Sequence, residues 1–450
     1  MCLNLGSIGT TSSSITAQGP HFLSGRIATR TENDIVERCP LPEASPYWSR
    51  VASHDHHLLH IIVSDVATMV SDCQPSHIPT IRTSDSAFCI GSMTSTGNGG
   101  EKMGAAGEKK GQGPAPLPWT VRFQALALSA ACDMSQRRDG TVNRFLFSLV
   151  DRQTRASSRP DARGVRSADV AVDASRGLWA RVFSPKQAAP APAPLPVVVY
   201  FHGGCFALLS AASTPLDAMC RRFCRELGAV VVSVNYRLAP EHRYPAAYDD
   251  GEDVLRYLGA TGLPDDVAVP VDLSRCFLAG DSAGGNIAHH VAHRWTTSST
   301  DPSKNPVVRL AGIILLQPFF GGEERTEAEL RLEGVAPIVN MRLSDWSWRA
   351  FLPEGADRNH PAAHVTGEAG PEPELPDAFP PAIVVVGGLD PLQDWQRRYA
   401  AMLQRKGKAV QVVEFPDAIH GFYMFPELPD AGKLVNDVMA TFIETNTPDH

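Results

Sequence analysis

No two cysteines of this chain stand as CxxC, and the nine present are odd in number and scattered. Cys220 and Cys224, one helical turn apart, have no histidine nearby. Neither a disulfide framework nor a zinc site is therefore expected. Long runs of like charge are missing too. The 49 acidic and 41 basic residues leave a formal charge of -8 spread along the chain, which argues against nucleic acid as a partner. The apolar stretch from Leu58 to Val70 is broken by His60 and Asp65, and the N-terminus lacks the charged start and apolar core of a secretory leader. No membrane is expected as a partner, and a soluble, cytoplasmic protein is expected. What is present is an ordinary globular composition, 43% hydrophobic and 20% charged, enough to bury a large core.

Residues 1 to about 115 are rich in Ser, Thr, Gly and His and show little periodicity, so a disordered extension is expected there. Met103 would be a natural start for the globular part, residues 116–450. Two segments with helical spacing follow, Val121 to Cys132 and Val142 to Leu149, split by the polar turn at Gln136 to Gly140. They are read either as part of a lid or as a helical hairpin packed on the core. After them, short apolar runs alternate with longer amphipathic ones. The runs begin at Pro196, Ala229, Cys276, Gly312, Ile383 and Val410, and their near-continuous Val, Ile and Leu suit strands buried on both faces. Helix-sized stretches lie between and after them: Leu216 to Leu227, Gly251 to Leu258, Asn286 to Trp295, Trp395 to Lys406 and Ala431 to Glu444. The alternation points to an α/β fold with a mostly parallel, doubly wound sheet.

The strongest chemical signal is Gly280-Asp281-Ser282-Ala283-Gly284-Gly285-Asn286, between an expected strand and an expected helix. A serine nucleophile needs that setting, because the tight turn lifts its hydroxyl clear of the sheet edge while small neighbours avoid clashes. A Gly-rich turn without catalytic role would read the same way, so the partners matter. His202-Gly203-Gly204-Cys205-Phe206 follows the strand ending at Phe201, about 80 residues before Ser282, where an oxyanion loop belongs. Its backbone N–H groups, with that of Ala283 at a helix N-terminus, would stabilise a negative carbonyl oxygen. The acid and the base should follow the serine in that order. Asp390 lies just past the Ile383 strand and His420 just past the Val410 strand, both at carboxyl ends of strands. Ser282 is then the nucleophile, His420 the general base, and Asp390 the acid that orients the imidazole. Asp394 is a rival acid one helical turn later, better suited to a helix start. Asn235 to Ala246 reads as a rigid turn leading to the helix after Asp249 and Asp250. Phe319, Phe320, Trp346 and Trp348 belong either to a substrate pocket in an insertion near residues 320–355 or to the core.

Taken together, HGG, NYRLAPEHRYPA, GDSAGGN, GLDPLQDWQ and IHGFY resemble the plant carboxylesterases of the hormone-sensitive-lipase-like branch of α/β-hydrolases, a group that includes the gibberellin receptors. The resemblance runs over about residues 115 to 447. It implies an α/β-hydrolase fold with Ser282, Asp390 and His420 as triad. It also implies an oxyanion hole drawn from Gly203, Gly204, Cys205 and Ala283, and a helical cap built from residues 119–150 and 320–355. The partner it implies is a small-molecule ester, and no cofactor is implied. At position 205, where the family usually has a third glycine, stands Cys205, whose side chain is expected to alter activity by crowding the site. The alternative within this resemblance is a non-catalytic small-molecule receptor. In that subgroup the triad histidine is replaced by an aliphatic residue and the elbow carries Ser where this chain has Ala283. The presence of His420 favours the hydrolase.

Overall fold

Where hydrophobic spacing changes from helical to strand-like, the chain passes from a pair of helices into a single large sheet. The computed structural model describes residues 117–137, 139–186, 193–298, 307–367 and 373–447, all within the unit Ala106–His450. The extension expected over residues 1 to 115 lies outside the described residues, as does the Leu58 to Val70 stretch. Helix α1 (Trp119–Ser135) and the short α2 (Arg144–Ser148) come first, joined through a turn that an antiparallel bridge between Gln136 and Val142 closes. The sheet then begins with β1 (Val165–Asp173) and β2 (Leu178–Pro185). It continues through β3 (Leu195–Phe201), α3 (Thr214–Glu226), β4 (Val230–Asn235), α4 (Ala246–Thr261), β5 (Val271–Asp281) and α5 (Ala283–Ser298). After β6 (Leu310–Leu316), an insertion carries α6 (Glu327–Leu332) and α7 (Met341–Phe351). The chain closes with β7 (Ala382–Leu389), α8 (Gln393–Arg405), β8 (Val410–Ile419) and a C-terminal helical run from Pro429 to Thr445. That run contains a π-helical turn at Leu434–Met439.

The eight strands form one sheet in the order β1-β2-β4-β3-β5-β6-β7-β8. Pairs β1/β2 and β2/β4 are antiparallel, and every pair from β4 onward is parallel. Each of the six apolar runs read from the sequence is a strand. The Cys276 run is longer than expected: β5 starts at Val271, and its first five residues are only half-buried. The β1–β2 hairpin was not anticipated. Its β1 is largely half-buried, with only Val165 and Ser167 buried, and β2 buries Arg181 in mid-strand, paired with Asp169 across the hairpin at 2.6 Å and with Asp217 of α3 at 3.1 Å. A buried charge needs such partners, and it also breaks the apolar pattern by which interior strands are recognised.

The parallel strands deliver their carboxyl ends to one edge. Phe201, Asp281, Leu389 and Ile419 close β3, β5, β7 and β8 there, and the residues that follow them build the site. Above part of this edge, α1 and the 332–342 segment of the insertion together line a cavity of about 530 Å³ that reaches Leu389 and Ile419. Helix α1 thus lines this cavity beside the sheet edge while it buries Val121, Ala125, Ala131 and Cys132.

Candidate active site

Ser282 is the single residue between β5 and α5. It adopts a left-handed φ of +52°, a conformation that costs an L-residue about 1–3 kcal/mol unless its surroundings hold it. Here they do. Ser282 N–H donates to Leu316 O at 2.9 Å, and its carbonyl accepts from Gly285 N at 3.0 Å and Phe319 N at 2.8 Å. The turn closes only because Gly280 and Gly284 lack side chains: a Cβ on Gly280 would run into the Gly284 carbonyl, and one on Gly284 into the carbonyl of Phe201. The motif thus packs β5 and α5 against the end of β3, and Ser282 is 8% exposed.

His420 follows β8 directly and is buried. Its Nδ1–H donates to Asp390 Oδ2 at 2.8 Å. Asp390 is fully buried after β7, and the residues behind it hold it in place: Leu392 N–H donates to Oδ1 at 2.9 Å and the Gln396 amide to Oδ2 at 2.9 Å. Asp394 lies elsewhere. It occupies the first turn of α8, where its Oδ2 accepts from Ala328 N at 2.9 Å, so the helix-start expectation holds for that residue. The His420 loop is tied from the other side by Gln317, whose Oε1 accepts from Gly421 N at 2.8 Å and whose Nε2 donates to Ile419 O at 3.3 Å. Burial alone would lower the pKa of His420. The charge and hydrogen bond of Asp390, helped by the charge of Asp281, outweigh it and hold the pKa above the ordinary imidazole value.

The oxyanion loop corrects one expectation. Gly203 N–H is not available to a substrate, because it donates to Asp281 Oδ1 at 2.7 Å. Gly204 and Cys205, both in the left-handed region with φ of +103° and +59°, make no backbone N–H hydrogen bond to any described residue. With Ala283, whose N–H at the first position of α5 has no intrahelical acceptor, they are the candidate oxyanion donors that remain. The Cys205 thiol faces Ser347 of α7. Burial pushes its pKa up to about 11, so it is no rival nucleophile at neutral pH.

Phe319, Phe320, Trp346 and Trp348 are all buried. Trp348 packs on Phe319 at 4.4 Å and on Phe206 at 5.4 Å between ring centroids, so these two rings pack beside Phe206 at the end of the HGG string, whereas Phe320 stacks on Tyr399 at 4.5 Å. The turn after β4 does more than lead into a helix. Ala239 N–H donates to Phe206 O at 3.0 Å, Ala239 O accepts from Arg144 of α2 at 2.8 Å, and Arg243 donates to Leu352 O beyond α7 at 2.8 Å. Helix α4 starts at Ala246, earlier than expected, and buried Asp250 within it accepts from Arg237 N at 2.8 Å. Sequence reasoning missed Gln317, Gln396 and the part played by Asp281. Among the described residues no group of three or more His, Cys, Asp or Glu is arranged to hold a metal ion, and no helix is long and apolar enough to cross a membrane.

A serine on a strained strand-to-helix turn and an Asp-bonded histidine at the carboxyl edge of a mainly parallel sheet define an α/β-hydrolase, and the chain belongs to that family. The model described as alpha/beta hydrolase fold matches residues 198–424, and that of the carboxylesterase family matches residues 106–240. Within the family it stands in the branch shared by plant gibberellin receptors and carboxylesterases. It is 45% identical to the gibberellin receptor GID1C of Arabidopsis thaliana over 69% of this chain and 90% of that one. It is 37% identical to carboxylesterase 20 of the same plant, over 61% and 84% of the two chains. Among solved structures, an esterase of Pyrobaculum calidifontis superposes with a TM-score of 0.53 at 28% identity, covering 76% of this chain and 97% of the other.

Proposed function

We propose that the protein is a serine carboxylesterase that hydrolyses short-chain carboxylic esters through an acyl-enzyme, with Ser282, His420 and Asp390 as its triad. The observation that carries this reading is the 2.8 Å bond from His420 Nδ1 to Asp390 Oδ2. It turns Nε2 into the free basic nitrogen that a serine hydroxyl needs. Ser282 Oγ attacks the ester carbonyl as His420 Nε2 takes its proton. The carbonyl oxygen gathers negative charge, which the N–H groups of Gly204, Cys205 and Ala283 stabilise together with the positive end of α5. His420 then passes its proton to the departing alcohol. In the second half a water molecule, deprotonated by the same nitrogen, attacks the acyl carbon and releases the acid and Ser282. Asp390 remains an anion throughout and stabilises the imidazolium.

Release of p-nitrophenol from its acetate and butyrate esters tests this, with Ser282→Ala and His420→Ala alongside. Each variant should lose about 10³-fold or more in kcat/KM while remaining folded. Equal rates in wild type and both variants would overturn the reading.

One observation favours a second reading, a ligand-binding receptor: the 45% identity to a gibberellin receptor. A receptor without turnover would hold its small-molecule ligand tightly and leave both p-nitrophenyl esters intact. Calorimetry with gibberellin as ligand, run beside the ester assay, separates the two. A cytoplasmic location is part of the esterase proposal, and imaging of a fluorescent fusion checks it.

A further inference from the structure

Next to the nucleophile sits a buried carboxylate that the mechanism above does not use. Asp281 is 4% exposed and lies at the last position of β5. Three donors converge on it. Tyr200 OH of β3 and Gly203 N–H of the oxyanion loop both donate to Oδ1, the latter at 2.7 Å, while Tyr423 OH, three residues after His420, donates to Oδ2 at 3.3 Å. Burial pushes the pKa of Asp281 up, and the three hydrogen bonds and the charge of His420 oppose it; two hydroxyls and a backbone N–H all donating suit the ionised carboxylate, which accepts only. A second observation is independent of those bonds: a Cβ at Gly203 would stand 2.5 Å from Asp281 Oδ2. The first glycine of the HGG string is therefore shaped to Asp281 and is not shaped to a substrate.

We infer that Asp281 is a positioning residue for the hydrolytic reaction, coupling the oxyanion loop at Gly203 to the base at His420 through one buried negative charge. The inference rests on the serine-esterase reading. Holding Gly203 N–H by a charge-assisted bond sets where Gly204 and Cys205, the next residues along, present theirs. The same charge acts on His420 and favours its protonated form, which is the form created when Ser282 attacks. The groups around Asp281 leave it few other tasks. Burial pushes the pKa of Tyr200, Tyr236 and Tyr423 well up, and the Asp281 charge adds to that. Burial likewise keeps the Cys220 thiol of α3 neutral, and it lowers the pKa of His202 to about 4. Of these groups only His420 has its charged form favoured, its pKa held above the ordinary imidazole value.

The test uses the full chain and the variant Asp281→Asn, which keeps an oxygen to accept from Gly203 and removes the charge. Two measurements are made. One is the pH profile of p-nitrophenyl butyrate hydrolysis. The other is an NMR titration of ¹³Cε1-labelled histidine, with the His420 signal assigned from its loss in His420→Gln. The expected result is a kcat lower by about tenfold with KM changed less than about twofold, and both the acid limb of kcat/KM and the His420 titration moved to lower pH. If Asp281→Asn does not fold, Asp281→Ser, smaller and still able to accept from Gly203, carries the same readouts. A folded variant whose His420 titrates as in wild type overturns the inference, even if kcat falls, because a purely structural aspartate would give that pattern. Should the wild type hydrolyse no ester, the esterase reading fails by itself, while the histidine titration still decides the coupling.

Discussion

At position 205 two demands meet on one backbone. The residue is a candidate oxyanion donor through its N–H, and it sits at a φ of +59°, where glycine is free and any side chain is strained by about 1–2 kcal/mol. Cysteine meets the first demand, and the thiol turns toward Ser347. Cys205→Gly relieves the strain, less about 0.5–1 kcal/mol for the extra freedom of glycine in the unfolded chain, whereas Cys205→Ala keeps the strain and loses the thiol contact. The glycine variant should therefore be more stable than the alanine variant by about 1 kcal/mol, as urea unfolding will show. Ser282, Asp390 and His420 were legible as candidates because each follows a recognisable apolar strand in the required order. Gly203 was misassigned because a string of glycines does not say which N–H is already occupied; that depends on Asp281, which is 78 positions away and adjacent only in the fold. Gln317 and Gln396 were hidden for the same reason, since an amide that steadies a histidine loop or a carboxylate looks like any other glutamine.

Arg144 shows how the elements above the sheet edge are fastened. From α2 its guanidinium donates to the carbonyls of Ala207 and Ala239 and to Glu241, the last two at 2.8 and 2.6 Å. One side chain thus joins the first helices to the oxyanion loop and to the turn after β4. The Arg144–Glu241 pair is half-exposed and contributes little by itself, but the two carbonyl bonds reach partly buried backbone. Arg144→Ala should lower stability by about 1–2 kcal/mol and increase proteolysis within α1 and α2 before it affects the sheet, which limited digestion can follow. Among the elements, the interior strands were readable from their unbroken apolar runs. The β1–β2 hairpin was not, because its largely half-buried β1 and buried Arg181 resemble a polar loop unless the partners Asp169 and Asp217 are known.

For the molecule as a whole, the sequence foretold a parallel sheet but not the order of its strands, which depends on how the crossings pack. The folded state also carries a pH signature. Burial lowers the pKa of His202 to about 4, that of His290 to about 3 and that of His289 well below the ordinary value, and it lowers that of His360 as well. As pH falls below about 6.5 the unfolded chain binds protons that these histidines refuse, and the two fully buried ones, His202 and His289, each remove about 1.4 kcal/mol of stability per pH unit over that window. His420 acts in the opposite sense: its raised pKa adds stability as pH falls through that pKa, though only once against four. The urea midpoint should therefore be lower at pH 5.5 than at pH 7. In activity the sign is simpler, since only neutral His420 serves as base, and the acid limb of kcat/KM should have its midpoint above the ordinary imidazole value of about 6.5.

The nucleophile turn and the oxyanion loop hang from β5 and β3, in the interior of the sheet, whereas the base follows β8, its outermost strand, much of which faces solvent. On the esterase proposal, gripping a ligand and turning it over are thus assigned to different districts of one molecule. Changes confined to the rim can silence proton transfer and leave the central grip intact, so a fold arranged this way can pass between catalyst and ligand sensor in few steps.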